Sequence, residues 1–299
     1  MLPRFAHGPE TITLGDLEVR RLGYGAMRLP GKQVWGEPDD PATAHAVLRR
    51  AIELGINFID TAWYYGPLVA NRLIVESLHP YPRDLVIATK LGAKRLEDKS
   101  WAPALTVDEL REGVHTDLRT LKLEQLPLVH LRWTERAQIS FGEALDVLID
   151  MQKAGKIRHL ALSNVTVEQL EAATKKTAIV AVQNMFNVSG TAGPGPAAGN
   201  PEAVLAKCEE KGIAFVPFFP LGAGAGGSST VEQVAKRLNT SASQISIAWL
   251  LARSPQMLPI PGTSKISHLE ENVGAVHVAL DDATLAELSA RKSDPQIRS

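Results

Sequence analysis

Along the chain, short apolar or β-branched runs alternate with longer stretches in which apolar residues return every three or four positions. The short runs are 21–27, 57–62, 85–90, 127–133, 159–164, 179–185, 213–220 and 257–262, and each has the length and composition of a strand. Helical patterns fill the gaps at 41–54, 69–78, 106–121, 141–154, 167–175, 201–211, 230–251 in two pieces broken near Asn239, and 266–274. Eight strand–helix units in about 250 residues predict an α/β chain with parallel strands and right-handed crossovers, closed as a (β/α)8 TIM barrel. Two pieces fall outside the repeat. Residues 11–14 and 17–20, joined by Gly15-Asp16, read as a β-hairpin plug for the N-terminal mouth, and 281–291 reads as an extra C-terminal helix. A single domain over residues 1–299 is expected.

A barrel directs the search for chemistry to the C-terminal ends of its strands. The segment NFIDTAWYYG (57–66) places Asp60 at the end of an apolar run and Tyr65 in the loop above it. The third strand ends in Lys90, within VIATK, and the fourth carries His130, within LPLVHLRW. A cation at the end of an apolar strand needs a counter-charge, and Asp60 on the adjacent strand supplies one. That pair predicts a lowered Tyr65 phenol pKa and hence a proton donor near neutrality, with His130 polarising or orienting a carbonyl. Each group alone has a plainer reading: Asp60 as a helix cap, Lys90 as a snorkelling surface residue, His130 as a satisfied core histidine. Four on three consecutive units make chance the strained explanation.

Charge narrows the ligand class. The chain holds 33 acidic and 32 basic residues and no polybasic segment, so it shows neither a nucleic-acid nor a membrane footprint. The first ten residues lack a signal-peptide core and no run is long enough to span a bilayer, from which a cytoplasmic location is expected. Cys208 is the single cysteine and reads as a packed thiol in a helix. No metal site is assigned.

These motifs, with LSN at 162–164, VQN at 182–184, PLG at 220–222 and IPGTSKISHLEEN at 260–272, resemble the aldo-keto reductase superfamily, and most closely its bacterial branch that includes pyridoxal reductases. The resemblance implies NADPH-dependent reduction of aldehydes or ketones, with NADH an open alternative. It places Asp60, Tyr65, Lys90 and His130 on the catalytic tetrad, Tyr65 being the acid. It places Ser163, Asn164 and Gln183 on the nicotinamide carboxamide, and Phe218 where a stacking Tyr is usual. Pro220, Leu221 and Gly222 open the loop 221–229 that crosses the pyrophosphate. Gly262, Thr263, Ser264, Lys265 and His268 fall at the adenosine phosphate end, and Glu271 and Asn272 at the adenine. His268 replaces a common Arg, which weakens the expected preference for NADPH.

The substrate is expected to be a small carbonyl compound, with pyridoxal and aromatic aldehydes as candidates, and the protein a monomer. Tyr24, Trp35, Trp63, Trp101 and Trp133 are expected to surround the pocket, with Met27 beside them, and 91–103 and 189–200 are candidate lids. Two other functions compete. Lys90 as a Schiff-base lysine would make a barrel lyase, a role that a protonating Asp60 disfavours. A non-catalytic, nicotinamide-sensing subunit would share the barrel, as potassium-channel β-subunits do, but here the barrel pattern starts almost at once.

Overall fold

The computed structural model describes residues 5–190, 200–222 and 229–290. The chain opens with the antiparallel pair β1 (Thr11–Leu14) and β2 (Leu17–Arg20). It continues through β3 (Tyr24–Gly25), α1 (Pro41–Glu53), β4 (Phe58–Asp60), α2 (Val69–Leu78), β5 (Val86–Arg95), β6 (Trp101–Ala104) and α3 (Val107–Leu121). Then come β7 (Leu126–Arg132), α4 (Phe141–Lys153), β8 (Ile157–Ser163), α5 (Val167–Lys176), β9 (Ile179–Gln183), α6 (Pro201–Lys211) and β10 (Ala214–Phe215). The last elements are α7 (Ser229–Arg237), α8 (Ala242–Arg253), α9 (Ile266–Gly274) and α10 (Asp282–Ser289).

Seven strands pair in parallel in the order β10-β9-β8-β7-β5-β4-β3. The predicted eighth strand is an extended segment that forms no ladder of its own, because Pro259 and Pro261 have no N–H to donate. It still closes the ring. Leu258 N–H donates to the Phe215 carbonyl at 2.9 Å, and Gly23 N–H to the Pro259 carbonyl at 2.9 Å. The closure is tight: a Cβ on Gly25 would meet the Ile260 carbonyl at 2.7 Å, and one on Gly262 the Gly25 carbonyl at 2.5 Å.

The inside of the barrel is filled by Phe58, Val86, Ala88, Leu128, Ala161, Ala181, Ala214 and Val216, and Ile12, Leu14 and Val19 of the hairpin cap it from below. The hairpin therefore plugs the N-terminal mouth. Outside, the apolar helix faces pack on the other side of the same strands in the larger core. Helix starts follow the sequence: Thr106/Glu109, Thr166/Gln169 and Ser241/Gln244 form capping boxes at α3, α5 and α8. The break between α7 and α8 is at Asn239, which adopts a left-handed φ of 50°.

Residues 91–103, expected as a loop and candidate lid, instead fold as an antiparallel hairpin between β5 and β6. Arg95 fastens it: the guanidinium donates to the carbonyls of Gln33, Val34 and Lys99, and lies 5.5 Å from the Trp35 ring centroid and 4.3 Å from that of Trp101. The second expected lid, 189–200, and the glycine-rich loop 221–229 lie in part outside the described residues, at 191–199 and 223–228. Among the described residues, no helix is long and apolar enough to cross a membrane.

Candidate active site

β4 delivers Asp60 and β5 delivers Lys90 to the C-terminal mouth. Lys90 Nζ donates to Asp60 Oδ1 at 2.5 Å and to the Thr61 carbonyl at 3.0 Å, and both side chains are buried. Gln183, at the end of β9, donates its amide to Asp60 Oδ2 at 2.8 Å. The buried carboxylate thus has a partner on each oxygen, as a desolvated charge requires. The Tyr65 ring lies over the ammonium, with Nζ 5.0 Å from its centroid. The Lys90 nitrogen is engaged by this carboxylate and by the Thr61 carbonyl, which argues against the Schiff-base alternative.

The phenol differs from the sequence expectation. Burial, and then the Asp60 charge, push the Tyr65 pKa above its ordinary value, with Arg132 opposing, so no net lowering by a cation results. Desolvation of the phenol is the largest cause, and the Asp60 carboxylate adds to it. Tyr65 is therefore fully protonated at neutral pH.

His130 pairs in register with Lys90 and is completely buried. Its Nδ1 lies 3.3 Å from the Thr89 carbonyl, which only accepts, so Nδ1 carries the proton. Nε2 is then a bare acceptor, buried and without a partner. Burial lowers the imidazole pKa to about 4, so the ring is neutral at pH 7. Polarising a carbonyl needs a donor, and this tautomer offers an acceptor; orienting an adjacent hydroxyl fits it better.

A cavity of about 750 Å³ opens above the pair. Asp60, Tyr65, Lys90, Ser163, Asn164, Gln183 and Phe218 line it, and its wall continues through Phe219, Pro220, Leu221, Gly222 and Gly262. His130 is not among the lining residues; it is the neighbour of Lys90 on the adjacent strand. Beyond Gly262, Thr263 is buried, accepting Tyr24 Oη on its carbonyl at 2.6 Å, while Ser264, Lys265 and His268 stand exposed around the start of α9. Lys265 caps that helix without a side-chain hydrogen bond, which leaves N–H groups pointing outward. Glu271 is half-buried and gives its carbonyl to Gln244, and Asn272 is buried beneath it.

Of the aromatic residues expected at the pocket, only Trp101 lines it. Tyr24 is completely buried in the core, and Trp133 projects outward from β7, donating Nε1 to Glu135 at 3.0 Å and meeting Phe141 edge-on. Trp63 packs against the helix-side core, and Trp35 lies against Arg95. The aromatic wall is made by Tyr64, Tyr65, Trp101, Phe218 and Phe219. Sequence reasoning passed over Tyr64 and Arg132. Arg132 was within reach of it, two positions beyond His130 and so on the same face of β7.

Fold and site together define a (β/α)8-barrel oxidoreductase. A family profile described as the aldo/keto reductase family matches residues 21–292. Pyridoxine 4-dehydrogenase of Escherichia coli (strain K12) is 45% identical over 284 residues, which cover 93% of this chain and 96% of that one. The thermostable aldo-keto reductase Tm1743, solved with the inhibitor epalrestat, superposes with a TM-score of 0.78 at 26% identity, over 94% of this chain and 98% of that one. An aldo/keto reductase from Klebsiella pneumoniae, solved with NADP and acetate, has the same fold with a TM-score of 0.75 at 22% identity, over 96% of each chain. The chain belongs to the aldo/keto reductase family.

Proposed function

We propose that the protein reduces aldehydes or ketones to alcohols with NADPH, with Tyr65 giving its proton to the carbonyl oxygen. The single observation that carries this reading is the Tyr65 phenol on the cavity wall, packed over the buried Lys90–Asp60 pair.

The residues present fit a dinucleotide. Ser163, Asn164 and Gln183 share one wall with the half-buried Phe218 ring, and Gln183, whose amide is spent on Asp60, keeps its carbonyl oxygen for a carboxamide. The exposed Lys265 and the open N-terminus of α9 offer positive charge to a phosphate at the far end. When bound, the nicotinamide supplies the hydride. Everything else falls to the chain. Lys90 holds positive charge beneath the phenol and stabilises tyrosinate as the proton leaves, and Asp60 keeps that lysine charged and in place. His130 Nε2, being an acceptor, suits the product hydroxyl and not the substrate carbonyl. Trp101, Tyr64 and the phenylalanines exclude water and favour a flat substrate.

The relative that acts as a pyridoxine 4-dehydrogenase makes pyridoxal, or an aromatic aldehyde like it, the proposed substrate. A monomer, a single domain over residues 1–299 and a cytoplasmic location are carried with this proposal on sequence grounds.

NADPH oxidation followed by absorbance with pyridoxal and a panel of aromatic aldehydes tests it. Tyr65→Phe is expected to lose about 10²–10⁴-fold in kcat while binding NADPH as before. Undiminished turnover in that variant sinks the assignment of the proton donor. Tight NADPH binding without turnover of any aldehyde by the native protein restores the sensing-subunit reading.

A further inference from the structure

The charges around the cavity do not balance. Arg28, Lys90, Arg95, Lys99, Arg132 and Arg136 line it, whereas Asp60 is the only carboxylate among the lining residues. Neither 191–199 nor 223–228 contains an acidic residue to make up the difference. Several cations are already committed. Lys90 is paired with Asp60, Arg95 is held by three carbonyls, and Arg28 lies against Gly262, at the end of the cavity assigned to the cofactor. Lys99 and Arg136 are exposed to solvent.

Arg132 is different. Along β7 the side chains alternate, and Leu128 belongs to the apolar filling of the barrel, so Leu128, His130 and Arg132 face inward in successive layers. Arg132 is the uppermost, on the cavity wall and half-buried, and its guanidinium makes no hydrogen bond or ion pair among the described residues. Nearby is a second unspent group. Tyr64 lines the same cavity, its hydroxyl is buried without a partner, and its ring is fixed edge-on between Tyr65 at 5.3 Å and Trp101 at 5.7 Å. Arg132, Tyr64 and Tyr65 line the same cavity, and the Arg132 charge opposes the upward pKa shifts that burial imposes on both phenols.

Building on the carbonyl-reductase reading, we propose that Arg132 and the Tyr64 hydroxyl form a subsite for an oxyanion carried by the substrate itself, close to the carbonyl that Tyr65 protonates. A partly desolvated guanidinium and a buried phenol each lose solvation that only a matching ligand restores, and a carboxylate or phenolate accepts from both. Substrate selection follows: an aldehyde bearing such an anion satisfies the pair, and its neutral analogue leaves the pair unmet. Pyridoxal has the required chemistry, since its ring hydroxyl is ortho to the aldehyde and ionises readily.

Two matched substrate pairs test the subsite with NADPH at pH 7.5: 4-carboxybenzaldehyde against its methyl ester, and pyridoxal against its 3-O-methyl ether. The first reads a carboxylate, the second a phenolate. The native enzyme is expected to favour the anionic member of at least one pair by about tenfold or more in kcat/KM, mainly through KM. Arg132→Met should abolish that preference, Arg132→Lys should restore part of it, and Tyr64→Phe should reduce it about threefold.

No preference in either pair overturns the proposal, as does an equal loss on both members of each pair in Arg132→Met. The Kd for NADPH, measured by fluorescence, separates the remaining source of anion: a tenfold weakening in Arg132→Met assigns the guanidinium to the cofactor and overturns the proposal. Absence of all turnover in the native protein would count against the carbonyl-reductase reading instead. Calorimetric titration of terephthalate into the NADP+ complex then reads the subsite directly: binding lost in Arg132→Met supports it, and unchanged binding overturns it.

Discussion

The two ends of this barrel treat polar groups in opposite ways. At the N-terminal end, Arg21 is completely buried and donates to five carbonyls, those of His7, Pro9, Leu251, Ser254 and Met257. Asn57 receives Arg20 N–H at 2.8 Å and reaches the Glu18 carbonyl, and Asp16 in the hairpin turn is paired with Arg158 and His159. At the C-terminal end, His130 Nε2 and Tyr64 Oη are buried with nothing to bond, and the Arg132 guanidinium faces a cavity. None of the unpartnered buried side-chain atoms among the described residues lies in the hairpin or the base beneath it. Buried polar groups without partners cost stability, and of those at this end Tyr64 lines the cavity, where a ligand can offset that cost.

If the base is structural, breaking it should cost stability and leave chemistry alone. Arg21→Met would strand five carbonyls and release the N-terminal segment from α8 and the closing segment, for an expected loss of about 3–5 kcal/mol in urea unfolding. Turnover per folded molecule should stay within about twofold. A large loss of kcat without loss of stability would break the comparison.

A sharper case lies just behind the mouth, where a polar network is satisfied although it borders the site. Asp117 accepts from Thr89 Oγ1 at 2.6 Å and Asn71 Nδ2 at 2.8 Å, and Asn71 in turn accepts from Thr61 at 2.9 Å. Burial raises the Asp117 pKa from 3.8 to about 7. Between those values the native state keeps a proton that the unfolded chain has released, so stability falls as pH rises from about 4 to about 7 and is level above. The expected loss is about 2 kcal/mol from pH 5 to pH 7, and Asp117→Asn should remove that slope. Urea midpoints at pH 5, 6, 7 and 8 measure it; an equal slope in the variant would show that Asp117 is not the titrating group.

The same contrast explains what the sequence could reveal. The strand–helix alternation was readable because parallel strands are buried on both faces and the helices between them carry a periodic apolar stripe, which is why 41–53, 69–78 and 266–274 appear close to their expected bounds. The Asp60–Lys90 pair followed from the cost of an unpaired charge on an apolar strand. Side-chain direction was harder. Trp133 is aromatic and directly follows β7, yet it continues the odd-numbered face of Val129 and Leu131, against the helices; counting by two from His130 gives that answer and also picks out Arg132. The β5–β6 hairpin was hidden because Arg95 reads as a surface charge until Trp35 and Trp101 are seen around it. The expected lowering of the Tyr65 pKa fails because burial of the phenol, which the sequence does not display, outweighs a nearby cation, and the Asp60 charge adds to the rise.

The smallest expected effect tests whether the base depends on its charges or only on its packing. Asp16 is exposed, with its pKa lowered to about 2 first by the Arg158 hydrogen bond and then by His159. A carboxylate with a depressed pKa stabilises the native state above its ordinary value near 3.8 and loses that contribution as pH falls toward 2. Solvent and salt screen such a pair, so Asp16→Asn should shift the Tm at pH 7 by no more than about 2 °C, and less in 0.5 M salt. The plug should hold regardless, because Leu14 and Val19 are completely buried against the barrel filling. A fall of 10 °C would mean that the Asp16 charges anchor the hairpin, and that the two ends differ less than their hydrogen bonds suggest.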